Sequence, residues 1–416
     1  MQTYDDGGNQ GRIAQLGNRG VEVWGADRNY IDADVPIDNI EPGAILYNCT
    51  LSGANTFIGR GSRIGESGHA RVNDCQIGRD CSLGAGTYDG ATFLDDVTVR
   101  GFAEIRPGTL LEEQVEAAHS VAFKNTILTA TCVTGSLINF CDLFMSGGTS
   151  RSDHSEVGSG VIHFNFDPRG DKWGSLLGDV RGVLLRSAPV FVGGQAGLVG
   201  PLHVDFGAVV AGGSIVRRDV PADCVHFDAS QARTVKGFDR EIYPSVRRKF
   251  SSTARLIGSL WALAAWYQLV RLPVAEDYQK RLYEAAAEQA RRHVAERIRR
   301  LEKIIDKLEN SLSKAAGSAE PSRAENEHRL LISKRDAIVA ALEDPADGAV
   351  PDVVLAEYRA SRETMTHVEA VRALSDEAAR AAESWLVGLA GEPLRRVEAA
   401  LNGTGSLAEP SKDRGE

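Results

Sequence analysis

A step of six residues governs the middle of this chain. Val192, Leu198, Val204, Val210 and Val216 fall six apart, as do Val115, Val121, Ile127 and Val133, and Val99, Ile105 and Leu111. Ile58 with Ile64 and Ile77 with Leu83 carry the step towards the N-terminus, and glycine often follows the aliphatic residue, as in Ile58-Gly59 and Val192-Gly193. A helix would rotate such a stripe out of line, so no helix explains it. A parallel β-solenoid does. Each hexad supplies a short strand and a tight turn, the aliphatic side chain points inward, and glycine tolerates the turn's backbone. Three hexads close one triangular coil, and stacked coils bury a continuous column in which each inward valine contributes roughly 1.5 to 3 kcal/mol.

The step is broken between Val133 and Val192, where inserted loops are expected around residues 142–176. That gap holds SDHSEVGSGVIHFNFDPRGDK (152–172), with two histidines, four acidic residues, an asparagine and a lysine. Insertions leave a solenoid as surface loops, where binding chemistry collects. His154 and His163 are the candidate general bases, because a histidine near neutral pKa is the usual proton acceptor. Glu156 or Asp153 could hold an imidazole in one tautomer. The competing reading of either histidine is a hydrogen-bonded structural residue between coils, and His119 is read that way.

Past residue 235 the pattern turns helical. Val294, Ile298, Leu301, Ile305, Leu308 and Leu312 step by four and three alternately, a coiled-coil seam. Helical patterns resume over 323–343 and 352–390, and charges of both signs interleave, which suits solvated packing or self-association. The expected plan is an N-terminal extension (1–40), a solenoid (41–235), a linker with an apolar helix (236–275), a helical hairpin or bundle (276–400) and a disordered tail (401–416). The apolar run 256–270 is 15 residues long, short of the roughly 20 that span a bilayer, so a buried or interfacial helix is expected. The net charge of −10 argues against a nucleic-acid partner. Six cysteines lack any CxxC pair and the N-terminus lacks a signal-peptide pattern, so reduced thiols and a cytoplasmic location are expected.

The runs RGFAEIRPGTLLEEQVEAAHSVAFKNTIL and PVFVGGQAGLVGPLHVDFGAVVAGGSIVRRDV resemble the left-handed β-helix (hexapeptide-repeat) acyltransferases over roughly residues 45–235. The resemblance is nearest to the acetyltransferase domain of the bifunctional glucosamine-1-phosphate acetyltransferase and N-acetylglucosamine-1-phosphate uridyltransferase family. The chain is also similar to solenoid proteins labelled UDP-N-acetylglucosamine pyrophosphorylases. The fold implied is a left-handed parallel β-helix of hexapeptide repeats, followed by an α-helical, coiled-coil-like C-terminal domain. The resemblance implies that Arg106 and Lys124 bind a sugar phosphate, and that Asn165, Asp167 and Lys172 belong to the same substrate cleft. It places Gly194, Ala211 and Gly212 along the pantetheine arm of acetyl-CoA, and it implies a homotrimer.

This sequence departs from the family pattern in four ways. GSLINFCD carries Asn139 or Phe140 where the family has its catalytic histidine, and Gly194 replaces an assisting serine. One hexad of the pattern is missing between Glu156 and Asn165, and no Gly-rich nucleotide loop marks a uridylyltransferase domain, which is therefore expected to be absent. The expectation is therefore a protein that binds a phosphorylated or nucleotide-linked amino sugar and acylates it from acetyl-CoA. The alternative is a non-catalytic sugar-nucleotide-binding scaffold assembled through its helical domain. Zinc held by the two histidines is a further alternative, which their spacing of nine fits poorly.

Overall fold

The computed structural model describes residues 6–228, 234, 238–315 and 321–401. Its first half is a parallel β-solenoid with an eleven-stranded sheet along one face. On that face Leu46, Ile64, Leu83, Val99, Ala117, Thr134, Val157, Val192 and Val210 stack in register as one inward column. A second column holds Ile58, Ile77, Phe93, Leu111, Leu128, Met145, Leu177 and Val204. A third runs through Ile105, Phe123 and Phe140 and continues as His163, Leu198 and Val216. This is the architecture expected from the hexads.

The register differs from the expectation at two residues. The coil from Leu111 to Leu128 takes 17 residues instead of 18, so Leu128 and Thr134 point inward while Ile127 and Val133 turn outward. The six-residue step holds from Val157 to His163, inside the stretch read as disturbed. The surplus chain leaves as three loops, 146–155, 165–174 and 178–190, between strands that remain in register. The solenoid also begins before residue 41. Strands Glu22–Val23 and Tyr30–Ile31 pair with Ile45–Leu46 and Cys49–Ser52. Helix α1 (Asp6–Asn18) places buried Leu16 over this first coil and closes the core at that end.

The helical half comprises α2 (Arg247–Ala265), α3 (Asp277–Ala315), α4 (Arg323–Ser333), α5 (Arg335–Glu343), α6 (Asp352–Arg362), α7 (His367–Arg372) and α8 (Asp376–Ala400). Of the expected seam, Val294, Ile298, Leu301, Ile305 and Leu308 are buried within this chain. The single helix expected over 352–390 is interrupted twice. Thr366 forms a capping box with Glu369, and Ser375 caps α8. The apolar run 256–270 lies in α2 and the π-helical turn that follows, packed against α3 and α8. No helix among the described residues is long and apolar enough to cross a membrane. The tail from residue 402 lies outside the described residues.

The two halves share a core. Phe57, Leu110, Ile127, Phe144 and Leu176, on the outer side of one solenoid face, are buried with the apolar residues of the helical half. At the seam the π-helical turn aims Tyr267 and Arg271 at two adjacent carboxylates. The Tyr267 hydroxyl donates to Glu112 at 2.5 Å, and the fully buried Arg271 pairs with Glu113. Of the six cysteines, all free thiols, four are buried, Cys141 is half-buried and Cys224 is exposed.

Candidate functional site

At one corner of the solenoid, successive coils place Gly108, Asn125 and Asp142 in left-handed backbone conformation, with φ of 83°, 45° and 61°. Asparagine and aspartate tolerate this region because their short side chains bond locally. Here they bond across coils. The Asn125 amide donates to Asp142 Oδ1 at 3.0 Å, and the Asn165 amide, one coil further, donates to Oδ2 at 2.6 Å. A side chain at Gly108 would strike Asn125 Oδ1, since an added Cβ falls 2.3 Å from it.

Helix α3 crosses this corner. The His293 ring bonds the Gly108 carbonyl, and Arg297 Nη2 donates to Asp142 Oδ1 at 2.6 Å. Both members of that ion pair are 3% exposed. Burial alone would raise Asp142, but the Arg297 charge and the two amides hold its carboxyl below the usual carboxylate range.

Beside this network lies a cleft of about 670 Å³. The solenoid contributes Arg106, Lys124 and Lys172 to its lining, and α3 contributes Arg292, Arg299 and Arg300. Three acids face these six cations: Asp89, Asp142 and Glu296. Asp142 is committed to Arg297, and Glu296 pairs with Arg299 and Arg300. Cys141 lies between the solenoid cations, with Arg106 Nη2 3.6 Å from its sulfur. Burial pushes its thiol pKa up, while Arg106, Lys124 and Lys172 pull the other way. A surplus of fixed positive charge in a partly enclosed cleft suits a phosphorylated ligand, which guanidinium and ammonium groups hold by charge-assisted hydrogen bonds.

Four of the expected site residues, Arg106, Lys124, Asn165 and Lys172, line this one cleft. The others lie elsewhere. His163 occupies a core position beneath Leu198, its ring bonded to the Cys141 carbonyl at 2.6 Å and the Ser175 hydroxyl at 2.8 Å. Burial drives its pKa down to about 4, so it is neutral at physiological pH. His154 bonds the Arg151 carbonyl at 2.8 Å and stands 3.8 Å from Glu156, beside the eleven-stranded face. Asp167 organises its own loop, accepting from the Trp173 indole and the Lys249 ammonium, each at 3.1 Å. Burial would raise Asp167, and these bonds hold it below the usual range. Gly194, Ala211 and Gly212 stack at a different corner, where a Cβ on Gly193 would fall 2.4 Å from Gly212 N. Of the two candidates for the family's histidine position, Asn139 is exposed and Phe140 stacks on Phe123 in the core with centroids 6.0 Å apart. No histidine lines the cleft among the described residues.

The three α3 arginines and Asp142 were not anticipated from sequence. A signal was present: Arg292, Arg299 and Arg300 recur at i, i+7 and i+8, one helix face.

No family model matches the chain. In sequence it is similar to the bifunctional protein GlmU of Trichlorobacter lovleyi, 35% identical over 213 residues, 50% of this chain and 41% of that protein. It is also similar to GlmU of Pelobacter propionicus, 33% identical over 205 residues, 49% of this chain and 40% of that protein. The chain thus spans about two fifths of the length of the curated relatives it matches. Among solved structures, LpxA of Acinetobacter baumannii matches with a TM-score of 0.28 at 15% identity, covering 56% of this chain and 82% of that one. The hexapeptide-repeat half of the chain is related to GlmU, as its motifs led us to expect.

Proposed function

We propose, on the strength of that relationship, that the chain is a hexapeptide-repeat acyltransferase-type protein. Its cleft holds the phosphate of a phosphorylated or nucleotide-linked amino sugar. The observation that carries this reading is the meeting of six cationic side chains, from two domains, at one cleft. Arg106 and Lys124, the residues that the resemblance assigns to the sugar phosphate, lie side by side there with Asn165 and Lys172. Acyl transfer from a thioester needs an aligned amine or hydroxyl and a proton acceptor, since the thioester arrives activated. The corner of Gly194, Ala211 and Gly212, expected along the acetyl-CoA arm, is at the opposite edge of the same solenoid face. In this reading a second copy of the chain brings its donor corner to the acceptor cleft. Exposed Ile162 and Phe164 on that face, with exposed Leu137 in the turn at its edge, support self-association there.

A second reading, a non-catalytic binding protein for the same ligands, is favoured by one observation. Among the described residues the cleft offers no histidine, and the nearby His163 is bonded at both ring nitrogens.

Calorimetric titration with glucosamine 1-phosphate, alone and with acetyl-CoA, together with chromatographic detection of released CoA, tests both readings. Lys124→Ala or Arg299→Ala should weaken the sugar phosphate by roughly 10- to 100-fold, the range for one lost hydrogen bond to a charged group. Binding without CoA release selects the second reading. Absence of binding to any sugar phosphate or nucleotide sugar overturns both.

A further inference from the structure

The phosphate cleft does not end at Phe166. That side chain is 61% exposed and forms part of the lining of two hollows, the phosphate cleft and a neighbour of about 450 Å³. The second hollow is built by three segments: the solenoid loop at 166–170, the connection at 240–243, and α3 through Lys307 and Asn310. Its chemistry is different from the first. Tyr243 lies in its wall, hydroxyl fixed on Asp171 at 2.9 Å, and the Arg169 guanidinium lies over the Tyr243 ring, 5.3 Å from the centroid. The Lys307 ammonium bonds the Arg169 carbonyl at 3.1 Å and Asp171 at 2.6 Å. Phe166 itself is presented on a braced loop, tied by its bridge to Lys172 and by the four hydrogen bonds that Asp167 accepts.

We infer that the second hollow is a nucleobase subsite and that the ligand of the whole groove is a nucleoside diphosphate, its phosphates among the cationic side chains and its base against Phe166. This rests on the phosphate reading of the first cleft. Two features point to a base. A rigid, exposed aromatic face at the junction offers stacking, which tolerates any base. Arg169 donates from Nη2 to the Ile242 carbonyl at 3.2 Å and the Asn310 amide donates to Glu241 at 3.4 Å; the remaining N–H groups of the guanidinium and carboxamide, with the carboxamide oxygen, offer the hydrogen bonds that a base edge takes. Two kinds of molecule carry the nucleoside diphosphate that this groove fits, a nucleotide-linked sugar and coenzyme A.

The test is titration of inorganic pyrophosphate, UDP and CoA into the wild-type chain, Phe166→Ala and Phe166→Tyr. The exposure of Phe166 makes the alanine variant safe for folding. Wild type should bind UDP or CoA about tenfold or more tighter than pyrophosphate, the size expected for one stacked base. That margin should vanish in Phe166→Ala, leave pyrophosphate affinity unchanged, and persist in Phe166→Tyr. The ligand that shows the margin identifies the source. Pyrophosphate binding with no margin for either nucleotide, or equal weakening of all three ligands in Phe166→Ala, overturns the nucleobase subsite and leaves the phosphate cleft standing. Failure of all three to bind overturns both.

Discussion

Replacing Arg297 with alanine would leave the Asp142 carboxylate buried with its counter-charge gone and only the Asn125 and Asn165 amides to satisfy it. Removing one partner of a buried ion pair costs about 3–5 kcal/mol, a large share of the ~5–15 kcal/mol that holds a typical domain folded. The sign of the pH dependence follows from the same geometry. In the wild-type chain Asp142 is held below its usual range, so its stabilisation is present above the unfolded carboxyl pKa and is lost only in strong acid. Without Arg297, burial becomes the dominant influence and raises the folded pKa above the unfolded one. The penalty is then full at high pH and shrinks as the pH falls through the raised value. Urea unfolding, followed by tryptophan fluorescence, should show a deficit of about 3–5 kcal/mol at pH 8 and a clearly smaller one at pH 5. That pH is still above the value of about 4 at which His163 and His293 take up protons. The double variant Arg297→Met with Asp142→Asn should recover most of the loss, because the buried charges are removed together. A deficit below about 1 kcal/mol, or one equal at both pH values, would refute the account of Asp142 as a paired buried charge.

Three further outcomes are expected. His163 has a folded pKa lowered to about 4, so its contribution is complete above the unfolded value near 6.5 and is lost as the pH falls towards 4. His163→Leu should flatten the stability profile across that window by on the order of 3 kcal/mol, measured by urea unfolding at several pH values, and an unchanged slope would contradict it. His154→Ala should leave sugar-phosphate affinity within about twofold and stability within about 1 kcal/mol, as for ordinary surface changes; calorimetry and thermal melting check this. Deleting 277–416 should abolish phosphate binding and expose the stripe of Phe57, Leu110, Ile127 and Phe144, so the remaining solenoid should aggregate and bind a hydrophobic dye. A soluble, monodisperse product that still binds the sugar phosphate would show that the helical half is dispensable to the site.

The solenoid was legible because its signal is strictly periodic and local: one residue in six faces inward whatever the rest of the chain does. The slip at Leu128 was not, because Ile127 and Leu128 are both aliphatic and either fits a hexad. His163 illustrates the same limit from the other side. Its polar side chain reads as a break in the repeat, yet it keeps the six-residue step from Val157 and satisfies both ring nitrogens inside the core. The solenoid side of the cleft was reached through Arg106, Lys124, Asn165 and Lys172. The helical side was hidden because a seam of alternating steps looks the same whether its partner is another helix or a β-solenoid. Which surface α3 covers depends on outward residues such as Phe57 and Phe144, far away in sequence and outside the inward hexad pattern.

The contribution of α3 to the cleft also sets an order of events. Lys124 leaves the ribosome about 175 residues ahead of Arg299, a delay of roughly 10–35 s at ordinary elongation rates of ~5–20 residues per second. Throughout that interval the coils can stack, since each needs only its neighbours, but half of the basic wall does not yet exist and the apolar stripe on the outer face has no cover. The nascent solenoid must therefore stay soluble by other means until the helices emerge. When they do, they fold on a finished surface, which serves as the template for the last part of the site to be made.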